Sequence, residues 1–92
     1  MVNAIVLLKV HSDRINQVAE ELAGFDGITE VYSVAGQYDL VALIRARNDE
    51  QVASVVTDGL LQVEGLRSSE TLIAFRTYSK HDLDGMFSVG LD

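Results

Sequence analysis

Hydrophobic and polar residues alternate along the first ten positions, which predicts a β-strand over Val2–Val10. One face of this strand is formed by Val2, Ala4, Val6, Leu8 and Val10. From Ile15 onward, apolar residues recur at i, i+3, i+4 and i+7, the spacing of one helical face. Ser12 is the predicted N-cap of this helix, and Gly24 lies at its end. A second strand is predicted over residues 28–35.

The same order repeats in the second half of the chain. Residues 38–47 are predicted to form a strand, and Asn48 with Gln51 makes a capping-box pattern at the start of a second helix. Gly65 ends that helix, and residues 67–76 form the last predicted strand. The order β-α-β-β-α-β predicts an α+β, ferredoxin-like fold with a four-stranded antiparallel sheet and two helices on one face.

Strand composition predicts the order of the sheet. The first and third strands are apolar on both faces, as central strands are, whereas the outer strands are more polar. Two helices cover only one side of such a sheet. The other side, called the open face below, carries Ile5, Leu7, Val41 and Leu43, with either Ile73 and Phe75 or Leu72 and Ala74. Because exposed apolar patches of this kind mark interaction sites, the sequence predicts a homodimer that pairs through its sheets as a dimeric α/β barrel.

Composition and charge narrow the classes of partner. The chain has 92 residues and a net charge of −7, from 7 Lys and Arg against 14 Asp and Glu. This length predicts one domain over residues 1–92, with residues 77–92 as a C-terminal tail. The acidic balance disfavours direct binding of nucleic acid or of an anionic membrane surface. The chain has no Cys, which excludes disulfides and agrees with a cytoplasmic location.

Few residues offer catalytic or metal-binding chemistry. His11 and His81 are the only histidines, and neither belongs to a metal-binding or catalytic motif. The sequence therefore predicts no metal site, no cofactor and no catalytic residue. A small enzyme of this fold would need a polar cleft between the sheet and the helices. That side is instead filled by Val6, Leu8, Leu40, Ala42 and Ile44.

The segment 34–39 is unusual because Asp is disfavoured at the start of a buried central strand. Gly36 predicts a tight hairpin with a positive φ, but a hairpin alone does not account for Tyr38 and Asp39. Alternation places Asp39 on the open face with Val41. Its carboxylate there either receives an ammonium group or pairs with an arginine, and the residues alone leave both interpretations open.

Three segments together resemble a known family. They are Gly-x-Tyr-Asp leading into a hydrophobic strand, Asn-Asp-Glu before a valine-striped helix, and Glu-Gly-Leu-Arg-Ser-Ser-Glu-Thr-Leu. In this order they resemble the effector-binding domain of the Lrp/AsnC transcription regulators, also called the regulation-of-amino-acid-metabolism (RAM) module. The resemblance covers residues 1 to about 76, and residues 78–92 resemble the tail of stand-alone members.

The resemblance implies an oligomer that binds small effectors, typically amino acids. Such domains pair into dimers, which associate further into octamers or decamers with effectors bound between dimers. A Thr-x-Thr pattern of the family has Ser in place of its first Thr here. The implied ligand-binding residues are Gly36, Gln37, Tyr38, Asp39, Ser69 and Thr71. Asp39 would accept the effector's ammonium group, while turn N–H groups and the hydroxyls would hold its carboxylate.

The chain departs from full-length regulators of the family because its first strand begins at residue 2, where those proteins have a helix-turn-helix domain. We therefore expect a regulatory module without its own DNA-binding domain, which either co-assembles with full-length relatives or binds amino acids by itself. Two alternatives stay open: a small dimeric enzyme of the monooxygenase or isomerase type, and a purely structural assembly module. Amino-acid sensors of the ACT type share the element order but usually place a Gly-rich turn where this chain has His11, Ser12 and Asp13.

Overall fold

The helices lie on one face of a four-stranded antiparallel sheet in the computed structural model, which describes residues 1–80. Along the chain the elements are β1 (Val2–Val10), α1 (Ile15–Ala23), β2 (Ile28–Ser33), β3 (Leu40–Ala46), α2 (Asp49–Ser54), a π-helical turn (Val55–Gly59), a 3-10 turn (Leu60–Gln62) and β4 (Leu66–Ile73). The strand order is β2-β3-β1-β4, which makes β1 and β3 central. The predicted ferredoxin-like order and the predicted central strands are confirmed. Most of the predicted tail, including His81, lies outside the described residues.

The ends of three strands differ from the prediction. β2 ends two residues early and β3 begins two residues late, because residues 34–39 form a turn closed by a hydrogen bond from the Val34 N–H to the Asp39 carbonyl (3.0 Å). β4 begins one residue early and ends three residues early. It stops there because its partner β1 runs out: the Ala74 N–H already bonds to the carbonyl of Asn3 (2.9 Å), next to the start of β1.

The core lies between the helices and the side of the sheet that faces them. Its buried residues are Ala4, Val6, Leu8, Val10, Val18, Leu22, Ile28, Leu40, Ala42, Ile44, Ala46, Val52, Leu60 and Val63. The alternation predicted for β1 is confirmed, since Val6 and Leu8 are fully buried while Ile5 and Lys9 are exposed. Within residues 1–80 no polar or charged residue is buried, so the interior offers no polar cleft.

The two helices begin in different ways. The Asn48 side chain accepts a hydrogen bond from the Gln51 N–H (2.8 Å), which confirms the predicted cap of α2. The prediction of Ser12 as the cap of α1 is wrong, because the helix begins at Ile15 and no side chain caps it. A turn comes first, in which the Arg14 N–H bonds to the His11 carbonyl (2.9 Å), and Ser12 is exposed within that turn.

The second helix changes form along its length. The π-helical and 3-10 turns replace the regular helix that the valine spacing predicts after residue 54. Gly59 lies in the wider turn, where an added Cβ would meet the ring of Phe25 at 3.4 Å, so the absence of a side chain permits this close approach. Leu60 and Val63 follow and are both buried, so the altered helix still delivers its apolar residues to the core.

Removal of the cap of α2 is expected to destabilise the domain. Asn48→Ala leaves the Gln51 N–H without its acceptor, which should lower the free energy of unfolding by about 1 kcal/mol. Ser12→Ala is the matched control, because Ser12 caps no helix, and it should change that free energy by less than about 0.5 kcal/mol. Urea denaturation followed by circular dichroism measures both values. A larger loss for Ser12→Ala would contradict the assignment of the caps.

Candidate functional site

The turn between β2 and β3, residues 34–39, lies at one end of the sheet. Gly36 has a φ of 139°, a value that glycine adopts far more readily than other residues, which confirms the predicted positive φ. A Cβ built at Gly36 would meet nothing within 4 Å, and Gln37 is exposed. The tip of the turn therefore projects into open space with its backbone accessible.

Asp39, at the base of this turn, forms two hydrogen bonds with the backbone of β1. Its backbone N–H donates to the carbonyl of Leu8 (2.8 Å), and its carboxylate Oδ2 accepts the N–H of Val10 (2.9 Å). The pairing of β1 with β3 ends at Leu8 and Leu40, so the Asp39 carboxylate supplies an acceptor for the Val10 N–H just beyond the last pair of that ladder. Within residues 1–80, Asp39 forms no ion pair with an arginine. The carboxylate thus has a structural partner that the alternation of residues did not predict.

Tyr38 extends in another direction from the neighbouring position. Its hydroxyl donates to Oε2 of Glu70 on β4 (2.7 Å), and the ammonium group of Lys9 lies 5.8 Å from the centre of its ring. Glu70 is paired with Leu7, whose side chain lies on the open face, so Glu70 is on that face too. Tyr38 therefore links the start of β3 to β4 across the central strand β1.

The hydrogen bond to Glu70, followed by partial desolvation and the carboxylate charge, raises the pKa of Tyr38 above its ordinary value of 10.0. Tyr32 donates to Glu30 (2.6 Å), and the same causes in the same order raise the pKa of Tyr32. The two pairs have the same chemistry, but Glu30 and Tyr32 lie on one strand whereas Tyr38 and Glu70 are 32 positions apart.

The two hydroxyl residues predicted on the last strand lie on the other side of the sheet. Ser69 is paired with Leu8 and Thr71 with Val6, and both of these partners face the helices. Thr71 is nevertheless exposed and Ser69 is half-buried, because β4 is an outer strand. Within one chain the six predicted residues therefore form two groups: residues 36–39 at the turn and the two hydroxyls on β4. The strands β3 and β4 are about 10 Å apart, two strand spacings.

Lys9 and Glu70 are residues of this region that the sequence reasoning missed. Alternation on the first strand was sufficient to place Lys9 on the open face. Glu70 required the register of β4 against β1, which local patterns do not supply.

The open face is apolar at its centre. Its apolar residues are Ile5, Leu7, Val41, Leu43, Leu72 and, on β2, Tyr32. The pairing of Ile5 with Leu72 decides between the two predicted sets in favour of Leu72 with Ala74. Ile5 is 36% exposed, Leu72 42% and Tyr32 45%. Asn3 and Arg45 form a polar rim at one end of this face, and Lys9, Tyr38 and Glu70 form the rim at the other.

Two cavities lie elsewhere on the molecule, and neither includes a predicted site residue. One, of about 350 Å³, is lined by Gly24, Phe25, Asp26, Val55, Asp58 and Gly59. The other, of about 360 Å³, is lined by His11, Asp13, Arg14, Glu64 and Gly65. Residues 1–80 contain no group of three His, Cys, Asp or Glu side chains placed to hold a metal ion. In the same part of the chain, none of the helices has the length and apolar character needed to cross a membrane.

A sequence-family model, a solved structure and a curated relative all match this chain, and the matches agree with one another. The sequence model of the Lrp/AsnC ligand binding domain matches residues 3–83. The protein TTHA0845 from Thermus thermophilus is 44% identical and superimposes with a TM-score of 0.83, over 87% of this chain and 100% of that one. The HTH-type transcriptional regulator FL11 of Pyrococcus horikoshii is 32% identical over 77 residues, which are 84% of this chain and 50% of FL11.

A more distant structure shares the fold. The transcriptional regulator NMB0573 of Neisseria meningitidis, solved in complex with L-Met, is 12% identical with a TM-score of 0.76, over 85% of this chain and 52% of that one. The chain spans about half the length of the curated relatives it matches, which are named HTH-type transcriptional regulators.

The pKa of Tyr38 should depend on Glu70. In Glu70→Ala the pKa of Tyr38 is expected to fall toward 10.0 while that of Tyr32 stays raised, and Glu30→Ala should give the reverse. Because the pKa of Tyr38 is raised in the folded state, its hydrogen bond to Glu70 stabilises the fold below pH 10. This stabilisation is lost as the pH rises through the folded-state pKa. Titration of the tyrosine ring carbons by NMR measures each pKa. Equal values for Tyr38 in the wild type and Glu70→Ala would show that the hydrogen bond does not form in solution.

Proposed function

Because the chain belongs to the Lrp/AsnC family of transcriptional regulators, we propose that it is an oligomeric regulatory module that binds an amino acid. The observation that carries this proposal is the turn at residues 36–39, where an exposed backbone tip adjoins the carboxylate of Asp39. A zwitterion needs an acceptor for its ammonium group and donors for its carboxylate, and this turn offers both within a few residues.

Asp39 has the capacity for two tasks. A carboxylate has two oxygens and about four acceptor positions, and the Val10 N–H occupies one of them. That hydrogen bond holds the carboxylate at the end of the sheet and leaves it able to accept an ammonium group. The backbone N–H groups at Gly36 and Gln37 lie at the exposed tip and are suited to the ligand's carboxylate.

The hydroxyls of Ser69 and Thr71 enter the proposed site from another protomer. In one chain they are about two strand spacings from the turn and on the helix-facing side of β4. The two groups therefore do not face one common pocket within a single chain. When one protomer supplies the turn and another supplies the hydroxyls, both groups can line the same site. This arrangement agrees with effectors bound between dimers, as the resemblance to the family implies.

Two further points support an amino acid as the ligand class. The regulator NMB0573, which has the same fold, was solved with L-Met. The site has one strong acceptor and several neutral donors, which suits a ligand with both charges better than a simple anion or cation. We expect the residue at Ser69, in place of the family's Thr, to influence which side chain is accepted.

A second copy is the proposed occupant of the open face. Its apolar side chains belong to the two central strands, to β4 and, at Tyr32, to β2, and they form one continuous patch. A patch of roughly several hundred Å² is larger than single scattered residues would give and is typical of an interface. The polar rims at both ends leave the apolar centre as the contact between sheets.

The enzyme alternative receives no support from the interior of the domain. The side of the sheet that faces the helices is filled by buried apolar residues, and residues 1–80 include no buried polar or charged residue. The relatives of the chain are named transcriptional regulators. We propose that the effect on transcription is passed to DNA-binding relatives that co-assemble with this chain in the cytoplasm, since its net charge of −7 disfavours direct contact with DNA.

Amino-acid binding can be tested by calorimetry with the twenty common amino acids. At least one is expected to bind the wild type at millimolar concentration or below. Asp39→Asn should weaken that binding at least about tenfold, because it removes the charge that pairs with the ammonium group. Asn keeps an oxygen that accepts the Val10 N–H, so this variant tests the charge without removing the structural hydrogen bond. The absence of binding by every amino acid to the wild type would refute the proposal.

Pairing through the open face can be tested with two matched leucines. Leu72→Glu places a charge within the apolar patch and should reduce the molar mass in solution from a dimer or larger assembly to a monomer. Leu61→Glu is the control, because Leu61 is similarly exposed, at 45%, but lies on the 3-10 turn. Light scattering after gel filtration gives the mass, and circular dichroism checks folding. An unchanged mass for Leu72→Glu would exclude this face as the interface.

A further inference from the structure

The Tyr38–Glu70 contact is the one side-chain hydrogen bond among residues 1–80 that reaches from the turn to β4. We infer that Glu70 and Lys9 are positioning residues of the amino-acid site: they hold Tyr38 and thereby fix the turn at residues 36–39 relative to β4. This inference rests on the proposed function for the role of the turn, but the tether itself is a property of the unliganded protein.

The turn has few other attachments. Its tip is exposed around Gly36, and one backbone hydrogen bond, from Val34 to Asp39, closes it. The contacts that orient it come from two adjacent residues: Asp39 bonds to the backbone of β1, and Tyr38 bonds to a side chain on β4. Without the contact from Tyr38 the turn would have no side-chain hydrogen bond to β4, so loss of that contact should loosen the turn relative to β4.

Lys9 makes a second contact with Tyr38, at the face of its ring. Its ammonium group lies 5.8 Å from the ring centre, within the range of a cation–π contact, and it lies on the strand between β3 and β4. The phenol of Tyr38 is therefore held at its hydroxyl by an acceptor and on its ring by a cation. Both partners come from strands that the folded sheet already fixes in place.

Glu70 also joins the two halves of the proposed site. It lies between Ser69 and Thr71 on β4, with its side chain on the opposite face of the sheet from theirs. A displacement of the turn therefore acts through Tyr38 on the strand that carries the two hydroxyls. The tether therefore connects the turn to the strand that carries the two hydroxyls of the same protomer, although the two groups face different neighbours in the proposed assembly.

The Tyr32–Glu30 pair provides a control within the same protein. It is also a tyrosine-to-glutamate hydrogen bond on the open face, at 2.6 Å, but both residues lie on β2 and neither reaches the turn. Glu30→Ala and Glu70→Ala make the same change of charge and remove the same kind of bond. A difference between them isolates the effect of tethering the turn.

Amide hydrogen exchange of the full chain without ligand tests the tether directly. The informative amides are those of Val10, Val34 and Asp39, whose hydrogen bonds close the base of the turn. Glu70→Ala and Tyr38→Phe should accelerate their exchange about twofold to tenfold, the effect of one lost hydrogen bond. Glu70→Gln should restore slow exchange, because its amide oxygen still accepts from the hydroxyl. The amide of Val6 at the strand centre should not change.

Calorimetry with the amino acid that binds the wild type most tightly provides the second measurement. Its dissociation constant should rise about twofold to tenfold in Glu70→Ala and stay unchanged in Glu30→Ala. Unchanged exchange at Val10, Val34 and Asp39 in Glu70→Ala, or equal acceleration in Glu30→Ala, would overturn the inference. If the wild type binds no amino acid, the proposed function fails, while the exchange experiment still decides whether the tether exists.

Discussion

Two short helices shield one side of a four-stranded sheet, and this geometric constraint determines how the rest of the molecule is used. The central strands β1 and β3 are apolar on both sides, but only the side toward the helices is closed. Leu8 and Leu40 are fully buried there, whereas Ile5 on the other side is 36% exposed. Burial of apolar surface away from water stabilises a protein, so the apolar residues of the open face favour contact with another molecule. The proposed second copy meets that requirement without any change of fold.

The polar residues at the end of the sheet follow from a second requirement, the satisfaction of backbone donors. The pairing of β1 with β3 ends at Leu8 and Leu40, and the carboxylate of Asp39 accepts the N–H of Val10 just beyond that end. This contact explains an acidic residue at the start of a central strand on structural grounds alone. It also holds the carboxylate in one orientation, which is what a binding site for an ammonium group needs. The structural and the proposed binding roles of Asp39 are therefore compatible, and a test of the second must preserve the first.

Most of the features that the sequence predicted correctly depend on neighbouring residues. The bounds of β1, the cap at Asn48 and the positive φ at Gly36 each follow from a local pattern. Most of the features that it missed depend on distant parts of the chain. The choice of Leu72 over Ile73 for the open face required the register of β4 against β1, and the contact from Tyr38 to Glu70 spans 32 positions. Ser12 failed as a cap because a turn precedes the helix, which residue preferences alone do not reveal.

The division of the predicted site into two groups has a consequence for how such a module would work. The turn lies at one end of the sheet and the hydroxyls of the same chain lie on the helix-facing side of β4, so under the proposed function each protomer contributes to two different sites. A ligand bound between protomers then stabilises the assembly, and by linkage the assembly strengthens binding of the ligand to the same extent. Tyr38 and Glu70 connect the two contributions within each chain. Occupation of one site can therefore affect the next one through the tether, without rearrangement of the apolar core.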